Sequence, residues 1–292
     1  MAADPTALTE VFEFESLYRI RWTRLGPASA PPLIFIHGTP WSSRLWVPYA
    51  LAFATTHSVY LFDNPGYGES QTSGEGTVAQ ANDASLDKQA ASFAALYRHW
   101  KLDRPPHVIA HDNGGLVSLR ATLLHGLSYR SLCLVDIVAV PPFGNPFFKL
   151  VAANQEVFEQ IPLFMFEGIV RGYIRNAAFK PLSSETEESL ARQWLSEEGQ
   201  KGFIRQLVQA SHRHAEDVLP RYGDLGASGI PVKIIWGKDD QWLSVDRAET
   251  LQKMIGGRTE VVVVDDASHL IHWDQPERLT TELTRFVLAA EK

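Results

Sequence analysis

The fold prediction begins at the stretch Val108-Ile109-Ala110-His111-Asp112-Asn113-Gly114-Gly115. An apolar strand runs into a tight turn there, and the turn opens a helix. Ala110 and Gly114 bracket Asp112, and small residues are needed because the strand and helix backbones nearly touch. The turn pushes the central side chain outward, and the N–H groups that begin the helix stabilise a negative charge. Asp112 is therefore either a reactive carboxylate or a simple N-cap for a helix over residues 114–125.

Short apolar runs on both sides of this stretch predict further strands. Continuous runs of this kind are typical of parallel strands that are buried on both faces. Residues 10–25 alternate partially and predict an antiparallel edge hairpin. We predict an α/β fold with a mostly parallel, eight-stranded sheet flanked by helices and with functional residues at the carboxyl ends of the strands. The predicted strands cover residues 33–36, 58–62, 131–135, 231–237 and 260–264, and the helical patterns cover residues 42–53, 85–100, 245–255 and 276–290.

Residues 141–222 break the alternation of strands and helices. The segment is aromatic and proline-rich at its start and then has the pattern of helices alone. A helical insert between two halves of a parallel sheet predicts a lid over the strand ends. We therefore predict a core domain of residues 1–140 and 223–292 and a helical cap domain of residues 141–222. Residues 71–82 are polar, contain glycine and predict a flexible loop.

Composition favours a globular protein and argues against several classes of partner. Of 292 residues, 45% are hydrophobic, and the formal net charge is -7. Lysine and arginine are scattered, which disfavours nucleic acid and anionic membrane as partners. No apolar run approaches the ~20 residues that span a bilayer, and the first residues do not resemble a secretory signal, so we expect a cytoplasmic protein. The single cysteine, Cys133, is expected to be an inert core residue. The sequence leaves a homodimer open.

The candidate functional residues occur in a recognisable order along the chain. A small-x-acid-x-small turn is followed by a further acid and then by a histidine. This order resembles the α/β-hydrolase fold superfamily, with Asp112 in place of the usual serine nucleophile. The resemblance covers nearly the whole chain. It is similar to the epoxide hydrolase and haloalkane dehalogenase branch, whose members use an aspartate.

The resemblance implies that a histidine and an acid assist Asp112. His269 lies in Ala267-Ser268-His269-Leu270, between the last strand and the last helix. A histidine alone is usually structural, but one at this position in the superfamily is the general base. Two acids could orient it. Asp240 follows the strand that ends at Gly237, whereas Asp136 ends the strand after the turn; we favour Asp240 and leave Asp136 open.

Two backbone N–H groups are expected to face the Asp112 carboxylate. His37-Gly38-Thr39-Pro40-Trp41 resembles the oxyanion loop of the superfamily. The resemblance implies an oxyanion hole made by the N–H groups of Thr39 and Asn113. Alternatively, residues 37–41 are an ordinary turn at the end of an apolar strand and have no role in an oxyanion hole. Residues 63–70 match the structural D-x-x-G-x-G-x-S motif, which we assign to turn formation.

An aspartate at the nucleophile position changes the expected reaction. Carboxylate attack on an ester or amide gives an anhydride, whereas attack on a saturated carbon gives an alkyl ester that water can cleave. Relatives with this nucleophile are epoxide hydrolases, haloalkane dehalogenases and fluoroacetate dehalogenases. Asn113 stands where haloalkane dehalogenases usually carry tryptophan, and the first arginine after the turn is Arg120, although fluoroacetate dehalogenases carry arginines around the nucleophile. Both differences favour an epoxide hydrolase.

Epoxide hydrolases generally use two lid tyrosines as donors to the opening ring. Tyr173 is the first candidate. The second is open because Ile204 stands where another tyrosine is expected; substitutes to consider are His212, His214 and Tyr222.

Further residues are assigned to the substrate pocket. Trp41, His37 and His214 join Tyr173 as candidate substrate-binding residues. Aromatic side chains could line an apolar pocket, although at helical spacing they more often form simple lid core. They are Trp41, Phe143, Phe147, Phe148, Phe164, Phe166 and Trp194.

The sequence thus predicts a hydrolase that needs no metal and no cofactor. It would open an apolar epoxide to a vicinal diol through an alkyl ester on Asp112. A haloalkane or haloacetate dehalogenase that uses the same ester is the alternative. A noncatalytic ligand-binding member of the superfamily is a third interpretation, which Asp112, His269 and the two acids disfavour. The expected partners are a small apolar molecule and water.

Overall fold

Nine strands form one sheet within the described part of the chain. The computed structural model describes residue 4 and residues 6–72 and 83–292. Eight strands follow one another in the order β1-β2-β4-β3-β6-β7-β8-β9, and β5 pairs with β2. The strands are β1 (Glu10–Phe14), β2 (Tyr18–Leu25), β3 (Pro32–Ile36), β4 (Ser58–Phe62), β5 (Gln71–Thr72), β6 (His107–His111), β7 (Ser131–Val135), β8 (Val232–Gly237) and β9 (Thr259–Val264).

The strand pairing confirms the predicted α/β-hydrolase fold. The pairs from β4 through β3, β6, β7 and β8 to β9 are parallel, whereas β1 and β2 form the antiparallel hairpin at the edge. Every residue of β3, β4, β6, β7 and β8 is buried, as the continuous apolar runs predict. The short β5 lies at the start of the predicted loop of residues 71–82. The rest of that loop, residues 73–82, lies outside the described residues, as do residues 1–3 and 5.

Helices cover both faces of the sheet and the carboxyl ends of its strands. They are α1 (Val47–Phe53), α2 (Leu86–Trp100), α3 (Asn113–Leu123), α4 (Pro146–Ala153), α5 (Gln155–Glu159), α6 (Leu163–Asn176), α7 (Ser184–Ala191), α8 (Glu197–Gln209), α9 (Arg213–Glu216), α10 (Tyr222–Ala227), α11 (Asp246–Ile255), α12 (Ile271–Asp274) and α13 (Pro276–Glu291), with short 3-10 helices at Ser43–Trp46, Arg192–Trp194 and Leu219–Arg221. No helix within the described ranges has the length and apolar composition needed to cross a bilayer.

Alternate residues of the central strands bury their side chains in two separate apolar layers. Ile34 and Ile36 pack with α2, α3 and α11 on one face. Leu33 and Phe35 pack with α1 and α13 on the other. Each fully buried aliphatic or phenylalanine side chain contributes roughly 1.5–3 kcal/mol, so the two layers fix the sheet as a rigid base for the loops that follow its strands.

A third apolar cluster joins the helices between β7 and β8 to the strand ends. Phe166, Ile174 and Phe203 of α6 and α8 pack with Trp41 and Leu270, which follow β3 and β9. In addition, the indole N–H of Trp194 donates a hydrogen bond to the Pro40 carbonyl at 2.9 Å. The helices of this segment therefore lie over the carboxyl edge of the sheet.

Candidate active site

Asp112 occupies the sharp turn between β6 and α3. Its backbone has a φ of 51°, which side chains with a Cβ rarely adopt. A Cβ on Gly114 would lie 2.6 Å from the carbonyl oxygens of Ile36 and His37, so only glycine fits this close crossing of β3 and α3. Although Asp112 stands at the N-cap position, its side chain makes no capping hydrogen bond within the described residues. The carboxylate is directed elsewhere, and the N-cap interpretation is wrong.

Backbone N–H groups hold one oxygen of this carboxylate. The N–H of Thr39 donates to Asp112 Oδ1 at 2.6 Å, and the neighbouring N–H of Asn113 helps to lower the pKa of the carboxylate. Gly38 makes the approach feasible, because a Cβ there would lie 2.3 Å from Asp112 Oδ1. The two N–H groups that the sequence nominates therefore converge on Asp112.

His269 bridges two carboxylates. Its Nε2 lies 3.4 Å from Asp112 Oδ2, and its Nδ1 lies 2.9 Å from Asp240 Oδ2. The other oxygen of Asp240 accepts the backbone N–H groups of Trp242 at 2.8 Å and Leu243 at 3.0 Å. Asp240 is thus held in one orientation by the loop after β8, and it orients the imidazole in turn.

Asp136 is buried close to this group but makes a different contact. Its Oδ1 accepts the backbone N–H of Gly237 at 2.8 Å, and its Oδ2 has no hydrogen-bond partner among the described residues. Burial, together with the nearby charge of Asp240, raises the pKa of Asp136 well above its usual range. Of the two acids that the sequence left open, Asp240 is the one placed against His269.

Asp112 and His269 form a buried ion pair at neutral pH. Burial alone would raise the pKa of Asp112, but the charge of the nearby His269 outweighs it, and the pKa lies below the usual value. Burial would likewise lower the pKa of His269, but the charges of Asp240 and Asp112 and the hydrogen bond to Asp240 raise it well above the usual value. The carboxylate is therefore ionised and the imidazole protonated.

His111, to which the sequence assigns no role, positions His269 from behind. Its Nε2–H donates to the backbone carbonyl of His269 at 2.9 Å. Burial, reinforced by the nearby charge of His269, lowers the pKa of His111 to about 3, so this ring stays neutral. The only signal for this contact in the sequence is that His111 directly precedes Asp112.

A cavity of about 30 Å³ lies against Asp112. This is room for one or two water molecules. The structure brings Thr39, Asn113, Phe143, Phe148 and Tyr173 to it, as the sequence predicts for the site. The lining also includes residues that the sequence did not single out: Val138, Gly144, Asn145, Trp242 and Leu243.

Trp242 is the main addition to the predicted pocket. Its ring stacks on Tyr173, with ring centroids 4.4 Å apart, and lies 4.8 Å from the His269 ring. Trp41 also stacks on Trp242, with ring centroids 6.0 Å apart, although Trp41 is not among the described residues that line the cavity. The signal for Trp242 in the sequence is its position two residues after Asp240, in the loop that orients the base.

Several predicted substrate-binding residues lie elsewhere. Among the described residues, the cavity lining includes neither Trp41, His37 nor His214. Both ring nitrogens of His37 are hydrogen-bonded to backbone, Nδ1 with the Gly38 carbonyl and Nε2 with the Asn64 N–H. The His214 carbonyl accepts a hydrogen bond from Arg120 of α3. These three residues support the surrounding structure.

The other aromatic candidates also divide between cavity and packing. Phe147 lines a neighbouring cavity of about 380 Å³, which shares Asn145 and Tyr173 with the cavity at Asp112. Phe166 and Trp194 pack in the third cluster, whereas Phe164 is 78% exposed. The candidate second donors are engaged elsewhere: Tyr222 donates to the Ala139 carbonyl, and His212 hydrogen-bonds to the backbone of Phe143.

Comparisons with known proteins match this architecture. A solved α/β-hydrolase fold protein from Burkholderia ambifaria superposes with a TM-score of 0.86 at 36% identity, covering 94% of this chain and 97% of that chain. Epoxide hydrolase A of Mycobacterium tuberculosis is 24% identical, over 94% of this chain and 95% of that protein. The dihydrolipoyllysine-residue acetyltransferase component of the acetoin cleaving system of Pseudomonas putida is 25% identical, over 92% of this chain and 66% of that protein. Residues 33–282 match the profile described as "Alpha/beta hydrolase family", and the chain therefore belongs to that family.

Proposed function

We propose that the protein is an epoxide hydrolase that opens an apolar epoxide to a vicinal diol through an alkyl ester on Asp112. One observation carries the proposal. The Asp112 carboxylate lies between the Thr39 N–H, 2.6 Å from Oδ1, and His269 Nε2, 3.4 Å from Oδ2. A carboxylate held in this way is already a nucleophile, and it has a base beside it for the second half of the reaction.

Asp112 Oδ2 attacks a ring carbon of the epoxide in the first step. A C–O bond to Oδ2 forms, the ring C–O bond breaks, and the released oxygen takes the proton of the Tyr173 hydroxyl. The lowered pKa of Asp112 keeps the attacking oxygen ionised at neutral pH. The proton carried by His269 then restores the Tyr173 phenol, which leaves a neutral imidazole beside the ester.

Water cleaves the ester in the second step. The negative charge of Asp112 helps to raise the pKa of His269. Alkylation removes that charge, so the neutral imidazole can act as a base. His269 Nε2 takes a proton from water, and the oxygen of that water attacks Cγ of Asp112. The oxyanion forms on Oδ1, where the N–H groups of Thr39 and Asn113 stabilise it. The diol oxygen leaves with the proton from His269, and the Asp112 carboxylic acid returns its proton to the imidazole.

Asn145 takes the place of a second lid tyrosine in this proposal. Its Oδ1 accepts the backbone N–H of Phe148 at 3.1 Å, so the side-chain NH2 group is not used in this capping contact. Asn145 lines the same cavity as the Tyr173 hydroxyl, and its amide lowers the pKa of Tyr173, in opposition to burial. In this proposal the amide donates to the phenol oxygen during the reaction, and the phenol proton goes to the substrate. Burial, with the charge of Asp112 adding to it, raises the pKa of Tyr173 well above its usual range, so the donor stays protonated.

The two neighbouring cavities indicate where the substrate lies. The inner cavity admits the reacting ring carbons, and the outer one has room for an apolar substituent beside Phe147 and Ile169. We propose that residues 141–222 act as a cap, because Tyr173 and Asn145 belong to this segment and separate the two cavities. Movement of this segment would open the route to Asp112.

The lining of the inner cavity favours an epoxide over a halide or a haloacetate. The Trp242 indole N–H donates to Asn176 at 2.9 Å and is thus occupied, so it does not provide a halide site. No arginine or lysine is among the described residues that line this cavity, so a substrate carboxylate would lack a cationic partner. A phenol donor, in contrast, suits a developing alkoxide.

An activity assay on styrene oxide tests this proposal. We expect wild-type protein to release the diol, and Tyr173→Phe to lower kcat/KM for the epoxide by about 100-fold, the usual loss of a general acid. Tyr97→Phe is the matched control, because Tyr97 donates to the Ser128 carbonyl far from the cavity. Absence of diol, or a Tyr173→Phe rate equal to that of the control, would overturn the assignment; turnover of a 1-haloalkane or fluoroacetate alone would replace it with a dehalogenase.

A further inference from the structure

Two buried histidines and a glutamate meet at the edge of the sheet opposite Asp112. His57 precedes β4, His107 begins β6, and Glu291 ends α13. The first residues of parallel strands lie at one edge of a sheet and the last residues at the other, so this cluster is remote from the proposed catalytic group. Nothing in the proposed hydrolysis uses it.

The three side chains present their ligand atoms to one common point. One ligand atom from each residue lies within 4.8 Å of the other two, and His57 Nε2 lies 3.2 Å from Glu291 Oε1. Both imidazoles are 2% exposed. Their ring centroids are 6.0 Å apart, with the planes at 78°, so the two rings approach the point from different directions.

The remaining nitrogen of each ring is engaged by a hydroxyl group. His57 Nδ1 lies 2.8 Å from Thr56 Oγ1, and His107 Nδ1 lies 2.8 Å from Ser131 Oγ. Where Nδ1–H donates to the hydroxyl, Nε2 presents a lone pair toward the common point. Histidines that bind metals are typically oriented by such an outer hydrogen bond.

The atom at the centre of this cluster has an unsatisfied hydrogen-bonding capacity. His57 Nε2 is buried and has no aligned hydrogen bond to any described residue, despite its 3.2 Å distance from Glu291. A buried polar atom of this kind usually has a partner, which can be an ion. Two imidazole nitrogens and a carboxylate are a donor set that suits zinc.

We propose that His57, His107 and Glu291 form a zinc site that fastens the end of α13 to the starts of β4 and β6. Ligand atoms around a tetrahedral zinc ion are about 3.3 Å apart, given Zn–N and Zn–O distances of about 2.0–2.2 Å. Closing the 4.8 Å span to that value needs a movement of roughly 1.5 Å. The His57–Glu291 pair already has this spacing, and Glu291 can adjust further because its side chain is 33% exposed at the end of a helix; the rest of the movement falls on the histidine rings. Water would complete the coordination.

Titration of metal-free protein with zinc, and with cobalt as a spectroscopic probe, tests the site. We expect one zinc ion per chain, a higher Tm when zinc is present, and the visible absorption bands of tetrahedral cobalt. Glu291→Gln should weaken zinc binding by at least about tenfold and should weaken the cobalt bands. Because Glu291 is at the surface, this variant is expected to fold. His107→Gln should lose binding as well.

Matched controls separate the site from casual binding at the surface. Glu277→Gln changes an exposed glutamate in the same helix, and His99→Gln changes an exposed histidine; both should bind zinc as the wild type does. Equal affinity in Glu291→Gln and wild type, or loss of binding in His99→Gln, would overturn the site. A Tm loss in Glu291→Gln that is the same with and without zinc, with no binding in either protein, would reduce the cluster to an ordinary His57–Glu291 ion pair.

Discussion

Asp112 combines two features that each cost free energy, a left-handed backbone and a buried charge. A positive φ at a residue with a Cβ costs of order 1–3 kcal/mol, and an ionised carboxylate that is 5% exposed has lost nearly all of its hydration. Two N–H groups and the protonated His269 compensate for that loss. The same contacts that keep the carboxylate ionised also fix which oxygen faces the substrate.

The two half-reactions should respond to pH in different ways. Alkylation needs ionised Asp112, whose pKa lies below the usual value of about 4, so its rate should be nearly constant from about pH 5 upward. Hydrolysis needs neutral His269 and should slow as the pH falls, because the imidazole is then protonated. The alkyl-enzyme should therefore accumulate at acid pH.

Rapid quenching of the wild-type reaction with styrene oxide, followed by mass spectrometry of the intact protein, measures this accumulation. The fraction of alkylated protein at steady state should rise between about pH 8 and pH 5. A fraction that falls with falling pH would show that alkylation itself depends on a group titrating in this range, contrary to the proposed roles of Asp112 and His269.

At the scale of elements, the loop after β3 and the turn after β6 must nearly touch for the site to exist. Gly38 lies between them, and a Cβ there would be 2.3 Å from Asp112 Oδ1 and 2.5 Å from Asp112 Cβ. Gly172, in the middle of α6, has no heavy atom within 4 Å of an added Cβ outside its own helix backbone. Substitution by alanine is therefore expected to have opposite effects at Gly38 and Gly172.

Gly38→Ala should lower kcat/KM for styrene oxide by about 100-fold or more, because the Thr39 N–H must shift away from the carboxylate. It should also destabilise the fold by about 1–3 kcal/mol through overpacking. Gly172→Ala should keep its activity and gain up to about 1 kcal/mol from helix propensity. Urea unfolding and steady-state kinetics measure both. A fully active Gly38→Ala would mean that the close approach of the two loops is not required.

The positions of residues at the carboxyl ends of the strands were predictable from the sequence, whereas the contacts between the loops that follow these strands were not. The runs before His37, Asp112 and Gly237 are largely apolar and predict buried parallel strands, whose carboxyl ends meet at one edge of the sheet. Whether Asp136 or Asp240 reaches His269 depends on loop conformation, since both acids follow strand ends. The stacking of Trp41 on Trp242 could not be predicted either, because it depends on how the loops after β3 and β8 pack in three dimensions.

At the scale of the whole molecule, one sheet separates two chemically different edges. The carboxyl edge carries Asp112, His269 and Asp240, with the helices of residues 146–209 packed over it. The opposite edge carries His57, His107 and Glu291, which are remote in sequence and form no motif along the chain. Family membership fixes the architecture, and the residues at the carboxyl edge then decide the reaction.

The measurement that tests the central claim most directly is peptide mass spectrometry of His269→Gln after incubation with styrene oxide. Removal of the base should leave alkylation intact and stop hydrolysis, so the ester should persist on the peptide that contains Asp112. A double variant that also carries Asp112→Asn is the control and should remain unmodified. We predict a mass increase equal to one styrene oxide on the Asp112 peptide. An unmodified Asp112 peptide, or an adduct formed only from a 1-haloalkane or fluoroacetate, would contradict epoxide hydrolysis through this residue.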